Sequence, residues 1–118
     1  MTFKTTKNAN YENVNDIDPI TASELMNNAS ITWIDVRSSE EYTGELSHIK
    51  VSKLIPMDQI PNQLADINKN DTKIFICRSG ARSAKTCQYL QGIGYTNCYN
   101  LAGGMIKWNE LQLPTEGK

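Results

Sequence analysis

Lys73-Ile74-Phe75-Ile76-Cys77-Arg78-Ser79-Gly80-Ala81-Arg82-Ser83 passes from a continuous apolar run into a glycine turn flanked by two arginines. The run is too short for a helix, and its lack of polar alternation marks a strand covered on both faces. From Ser83 to Leu90 the sequence reads as a helix, ended by Gly92 and Gly94. A central strand that runs through a tight loop into a helix belongs to an α/β layer fold. In such open sheets ligands bind beyond the carboxyl ends of the strands, and Cys77 falls at that place.

The flanking sequence repeats the alternation. Ile31-Thr32-Trp33-Ile34-Asp35-Val36 is β-branched and aromatic, as strands are. Ser38 or Ser39, followed by Glu40 and Glu41, signals a helix start with acids in its positive first turn. Lys53-Leu54-Ile55 is a brief strand closed by Pro56. Asp58 or Pro61 is then expected to open a helix carrying Ile60, Leu64 and Ile67 on one face. Tyr95 to Leu101 holds one more strand, and Gly103-Gly104 leads into a last helix that Pro114 stops. Near the start, Thr21 or Ser23 is expected to cap a short helix through Met26. Strands alternating with helices predict a mainly parallel sheet.

The chain has 118 residues, enough for one core and not for two of ordinary size. Residues 1–13 carry few apolar groups and are expected to form a flexible arm before a single domain over 14–118. Twelve Lys and Arg against thirteen Asp and Glu leave a net charge of −1, without the clustered positive charge that nucleic-acid binding requires. No apolar run approaches the ~20 residues of a membrane span, and residues 1–15 lack the apolar segment of a secretory signal. The expectation is a cytoplasmic protein with neither nucleic acid nor membrane as partner. With one histidine, three cysteines and no CxxC pair, neither a metal nor another cofactor is expected.

The loop Cys77–Ser83 has the physics of an anion cradle. The first N–H groups of a helix lack internal partners, and the aligned peptide dipoles leave about half a positive charge there. Gly80 permits the tight curve that turns successive N–H groups inward, while Arg78 and Arg82 add two full charges. Helix N-termini and nearby cations favour the thiolate over the thiol, so Cys77 is expected to act as a covalent nucleophile. The same amides suit a charged substrate or intermediate. The rest of the titratable set is read as structural. His48 is the only histidine and nothing in its spacing ties it to Cys77. Cys87 reads as a packed helical residue, with resolution of an oxidised Cys77 as the alternative, and Cys98 as a strand residue.

Four segments in order resemble the rhodanese family. Ile34-Asp35-Val36-Arg37-Ser38-Ser39-Glu40-Glu41-Tyr42 is similar to its "IDVR…EEY" signature. His48-Ile49 with Leu54-Ile55-Pro56 resembles its "HI…NIP" segment, Phe75 to Ser83 its active-site strand and loop, and Leu101 to Trp108 its "L-x-GG-x-x-x-W" stretch. The resemblance covers about Ile17 to Pro114. It implies a three-layer fold with a central, mainly parallel five-stranded sheet flanked by helices. It also implies a sulfurtransferase (thiosulfate sulfurtransferase, rhodanese) working through a persulfide on Cys77. By matching positions, Arg78, Ser79, Gly80, Ala81, Arg82 and Ser83 would hold the sulfur and the anionic donor, with Asp35 and Arg37 bracing neighbouring loops. The partners so implied are a small anionic sulfur donor and a thiol or cyanide acceptor, or a protein donor or acceptor. The chain departs from the family at Ser47, where glycine is usual before the histidine, and at Lys50-Val51-Ser52, where Pro-Gly-Ala is usual.

Two other functions compete. A cysteine phosphatase or arsenate reductase also places Cys and Arg around an anion loop, but with five residues between them; Cys77 and Arg82 enclose four, a smaller pocket. A persulfide carrier in a larger sulfur relay would keep the same loop while taking sulfur from a protein.

Overall fold

The computed structural model describes residues 3–117. Residues 1 and 2 of the expected arm, and residue 118 of the expected domain, lie outside the described residues. One sheet organises the chain: β1 (Thr6–Lys7), β2 (Asn15–Ile17), β3 (Ile31–Asp35), β4 (Ser52–Leu54), β5 (Thr72–Ile76) and β6 (Cys98–Leu101). Their spatial order is β1-β2-β6-β5-β3-β4. Every pairing is parallel except that of β1 with β2. The sheet thus has six strands where five are expected. The additional one is β1, within the 1–13 stretch; two exposed polar residues carry no alternation by which sequence could reveal them.

β5 is central, between β3 and β6, and both its faces are covered. Val14, Ile34, Phe75, Cys87 and Leu90 form one apolar cluster, under α3 (Ala81–Gly92). Ile17, Trp33, Ile74, Ile76 and Trp108 form the other, under α1 (Pro19–Ser23) and α4 (Gly104–Glu110). Trp33 and Trp108 meet edge to face, centroids 6.1 Å apart. Ile34, Ile74 and Ile76 have no exposed surface, and each such burial contributes about 1.5–3 kcal/mol. A helix cap contributes about 1 kcal/mol, so the inner strands dominate. No helix among the described residues is long and apolar enough to cross a membrane.

Local chemistry corrects two expectations. The segment with Ile60, Leu64 and Ile67 folds as two 3₁₀ turns, Met57–Asn62 and Leu64–Asp66, rather than as an α-helix. Pro61 has no N–H to give the carbonyl four residues back, so the α-helical ladder cannot pass it; Ile60 and Ile67 are buried nonetheless. Helix α1 starts earlier than predicted. Asp18 caps it by accepting the Thr21 N–H at 3.1 Å, with Pro19 in the first turn. Helix α2 (Ser39–Tyr42) begins as expected, with Ser38 and Glu41 forming a capping box. Ser47 takes the left-handed conformation, φ 57°, which a glycine would adopt without strain.

Candidate active site

Cys77 follows the last residue of β5 and is 1% exposed. Gly80, at φ 102°, turns the chain back so that its N–H donates to Cys77 Sγ at 3.0 Å. Helix α3 begins at the next residue, and the N–H groups of its first turn, from Ala81, Arg82 and Ser83, have no acceptor within the helix. Ser83 Oγ lies 3.3 Å from the sulfur on the other side. Two polar groups of its own loop, the Gly80 N–H and the Ser83 hydroxyl, therefore reach the Cys77 sulfur.

Helix α4 fixes the outer wall of that loop. The Met105 N–H donates to the Cys77 carbonyl at 2.9 Å and the Ile106 N–H to the Arg78 carbonyl at 3.0 Å. Such a close approach requires glycine at the helix start: a Cβ on Gly104 would stand 2.4 Å from the Cys77 carbonyl oxygen. The pair Gly103-Gly104, which in sequence reads as a lead into the last helix, is thus a support of the reactive loop. Its contact with residues some 25 positions earlier leaves no local signal.

The two arginines of the loop have different surroundings. Arg82 is held bidentately by Glu41, Nη1 to Oε1 and Nη2 to Oε2 both at 2.8 Å. That hydrogen-bonded guanidinium holds the Glu41 carboxyl down at about 2, against an ordinary 4.5, and Glu41 in turn raises Arg82 further. Arg78 is exposed and lines a cavity of about 210 Å³ with Arg37, Glu40, Glu41, Glu45 and Leu46. Asp35 and Arg37 form a buried bidentate pair at the end of β3, with Nη2 to Oδ2 at 2.8 Å and Nε to Oδ1 at 2.9 Å. Arg37 also donates to the carbonyls of Ser47 at 2.7 Å and Glu41 at 3.2 Å. It thereby ties the strand end to the two segments that flank the Arg78 cavity.

The remaining histidine and cysteines stand apart from this chemistry. The His48 ring stacks on Tyr42, centroids 3.8 Å apart; Nδ1 meets the Tyr42 carbonyl at 2.8 Å and Nε2 faces Glu116 at 3.9 Å. Both ring nitrogens thus face groups other than Cys77. Cys87 is enclosed in the apolar cluster under α3, and burial pushes its thiol well up. Burial also raises Cys98, to about 11.

Sequence reading misses three polar residues. Asn100, 1% exposed on β6, accepts the Ser83 hydroxyl through Oδ1 and donates from Nδ2 to Asp16 Oδ1 at 2.9 Å. Asn8 Nδ2 donates to the same Asp16 oxygen at 3.0 Å. The parallel register that sets Asp16 opposite Asn100 is what brings them together, and 84 residues of separation hide it from inspection of the sequence.

Comparison with known proteins bears on the family and the fold. Residues 18–111 match the rhodanese-like domain family. A sulfurtransferase of Allochromatium vinosum is 35% identical over 102 residues, covering 86% of this chain and 94% of that protein. The thiosulfate sulfurtransferase GlpE of Actinobacillus pleuropneumoniae is 29% identical over 105 residues, 89% of this chain and 95% of its own length. The crystal structure of a rhodanese-like domain protein from Staphylococcus aureus superposes with a TM-score of 0.73 at 33% identity, covering 86% of this chain and 97% of the other. Other curated relatives are longer, and the chain spans about half their length.

Proposed function

The chain belongs to the rhodanese-like domain family, and from that premise we propose that it moves a sulfane sulfur from an anionic donor such as thiosulfate to a thiol or cyanide through a persulfide on Cys77. The Cys77 thiolate attacks the outer sulfur of the donor; a new S–S bond forms, the donor's S–S bond breaks, and sulfite leaves with the electron pair. An acceptor thiolate or cyanide then attacks the terminal sulfur of the persulfide. The product persulfide or thiocyanate departs, and the Cys77 thiolate is restored.

The observation that carries this reading is the Gly80 N–H directed at the Cys77 sulfur at 3.0 Å, at the junction of a central strand and a helix start. A fixed amide donor favours negative charge on sulfur and needs no reorganisation when that charge appears. The free amides of Ala81, Arg82 and Ser83 suit the terminal sulfur, and exposed Arg78, next to Ser79, suits the sulfonate end of the donor. Asp35 and Arg37 serve as braces. The three cysteines are free, which fits a reducing, cytoplasmic setting.

Intact mass after incubation with thiosulfate tests the reading. One added sulfur is expected, on the peptide that holds Cys77, and cyanide should remove it. No adduct, or one on Cys87 or Cys98, would overturn the assignment. A carrier function gains support from the entrance itself, where Glu41 offsets Arg82 and Glu40 and Glu45 border Arg78. Under that reading a protein persulfide should load Cys77 much faster than thiosulfate does.

A further inference from the structure

The polar chain behind Cys77 has a direction. Asn8 Oδ1 accepts the backbone N–H groups of Asn10 at 2.8 Å and Tyr11 at 2.9 Å, so its Nδ2 must face Asp16. A carboxylate only accepts, so the Asn100 amide must also turn its Nδ2 to Asp16 and its Oδ1 to Ser83. The reversed amide would set oxygen against oxygen at Asp16 and leave N–H groups facing the Ser83 hydroxyl. The serine hydroxyl has one proton. Asn100 Oδ1 has no proton of its own, so the hydrogen bond between them takes the Ser83 proton, and Ser83 then presents its lone pairs to Cys77 Sγ, 3.3 Å away.

We infer that Asn100, locked in orientation by Asp16, holds the Ser83 hydroxyl proton off the Cys77 sulfur, which makes Asn100 and Asp16 positioning residues for the sulfur transfer proposed above. The inference rests on that reading for its purpose but not for its chemistry. A proton on the sulfur can then be donated to Ser83 Oγ. When the sulfur carries negative charge, the hydroxyl must release Asn100 before it can donate to sulfur, and until then Gly80 N–H is the donor in place. The turn at 8–11 thereby acquires a part in the site, through Asn8 and Asp16, although it touches no reacting atom.

The test is the pH dependence of iodoacetamide alkylation of Cys77, followed by mass spectrometry of its peptide, which requires no sulfur donor. Failure of sulfur transfer therefore leaves this measurement intact, and the reverse also holds. Asn100→Leu keeps the volume and removes the acceptor, so Ser83 is free to donate to sulfur. A hydrogen bond to a charged group is worth enough to move the alkylation profile about one unit toward lower pH, or about tenfold in rate below its midpoint. In a Ser83→Ala background the same substitution should produce no shift. Asp16→Ala removes the single oxygen, Oδ1, to which both the Asn8 and the Asn100 amides donate, so the Asn100 amide can turn over and the profile should shift in the same direction, again only with Ser83 present. It serves as the second variant should Asn100→Leu fail to fold.

The charged groups around the sulfur, Arg78 and Arg82 of the loop, Asp35 and Arg37 at the end of β3, and Glu41 of α2, are left unsubstituted in all of these variants. Asp16→Ala also removes a charge of its own, and the Ser83→Ala background separates that effect. No shift in a folded Asn100→Leu protein, a shift to higher pH, or a shift that persists without Ser83 would overturn the inference.

Discussion

At the start of β5 Lys73 places an ammonium among carbonyls, and just past its end Cys77 places a sulfur among N–H and O–H groups. Lys73 is fully buried, and its Nζ donates to the carbonyls of Asp71 at 2.6 Å, Thr96 at 2.7 Å and Lys69 at 3.2 Å. Three donors meet three acceptors, and the arrangement is closed. Cys77 is almost as buried, yet around it lie amides of the α3 first turn with no acceptor in their own helix. Burial alone therefore does not separate structure from chemistry on this strand. Unspent donor capacity does: a closed set can only stabilise, whereas an open one can receive another atom.

Substitution at the open end should have the largest effect. Cys77→Ser keeps nearly the same shape and the Gly80 contact but replaces the nucleophile. We expect sulfur transfer to fall by at least about a thousandfold, the scale for loss of an essential nucleophile, with an unchanged thermal melting point. Retained transfer would erase the distinction between the ends. At the closed end, Lys73→Met should do the opposite. The stem packs as before, but the carbonyls of Asp71, Thr96 and Lys69 lose the ammonium, at a cost of about 1–3 kcal/mol for each buried one left without another partner. Urea denaturation should report that loss while transfer per folded molecule stays constant.

Cys87 sharpens the contrast, because it is a thiol as buried as Cys77 without converging donors. Cys87→Ala should cost about 0.5–1.5 kcal/mol, the scale for removing one small buried group, and leave persulfide loading intact. A severe loss of loading would instead make Cys87 a participant in redox chemistry.

How much of this was legible depends on the distance over which each feature is written. The apolar run Ile74-Phe75-Ile76 and the loop Cys77–Ser83 are local, and they suffice for the central strand, the helix after it and the position of the thiol. Ser38 with Glu41 is equally local, and the cap follows. Pro61 forbids an α-helix that runs through it from Met57, whatever the spacing of Ile60, Leu64 and Ile67: apolar periodicity says nothing of a missing N–H. The Gly104 approach to Cys77 and the Asp16–Asn100–Ser83 chain depend on strand order and register, which no window of sequence contains. The same is true of the Glu41–Arg82 pair, so both arginines read as free charges when one is engaged.

That pair gives the smallest effect and the finest division of the open end. Glu41→Gln keeps an oxygen for the capping box with Ser38 but removes the charge and replaces the oxygen that accepts from Arg82 Nη2 with an NH₂ that cannot accept. In the wild type the Arg82 hydrogen bonds depress the folded carboxyl from 4.5 to about 2. A depressed acid contributes stability above its unfolded pKa and loses it as pH falls through the folded one. The wild type should therefore exceed Glu41→Gln in stability above about pH 4.5, with the gap closing toward pH 2. Both side chains are about one-third exposed, so solvent screening limits the gap to roughly 0.2–1 kcal/mol. Melting curves from pH 2 to 7 would show it. The same substitution releases Arg82 toward the loop. If the guanidinium serves the donor once freed, KM for thiosulfate falls while kcat holds; an unchanged KM assigns Arg82 to structure and leaves Arg78 as the cation that meets the donor.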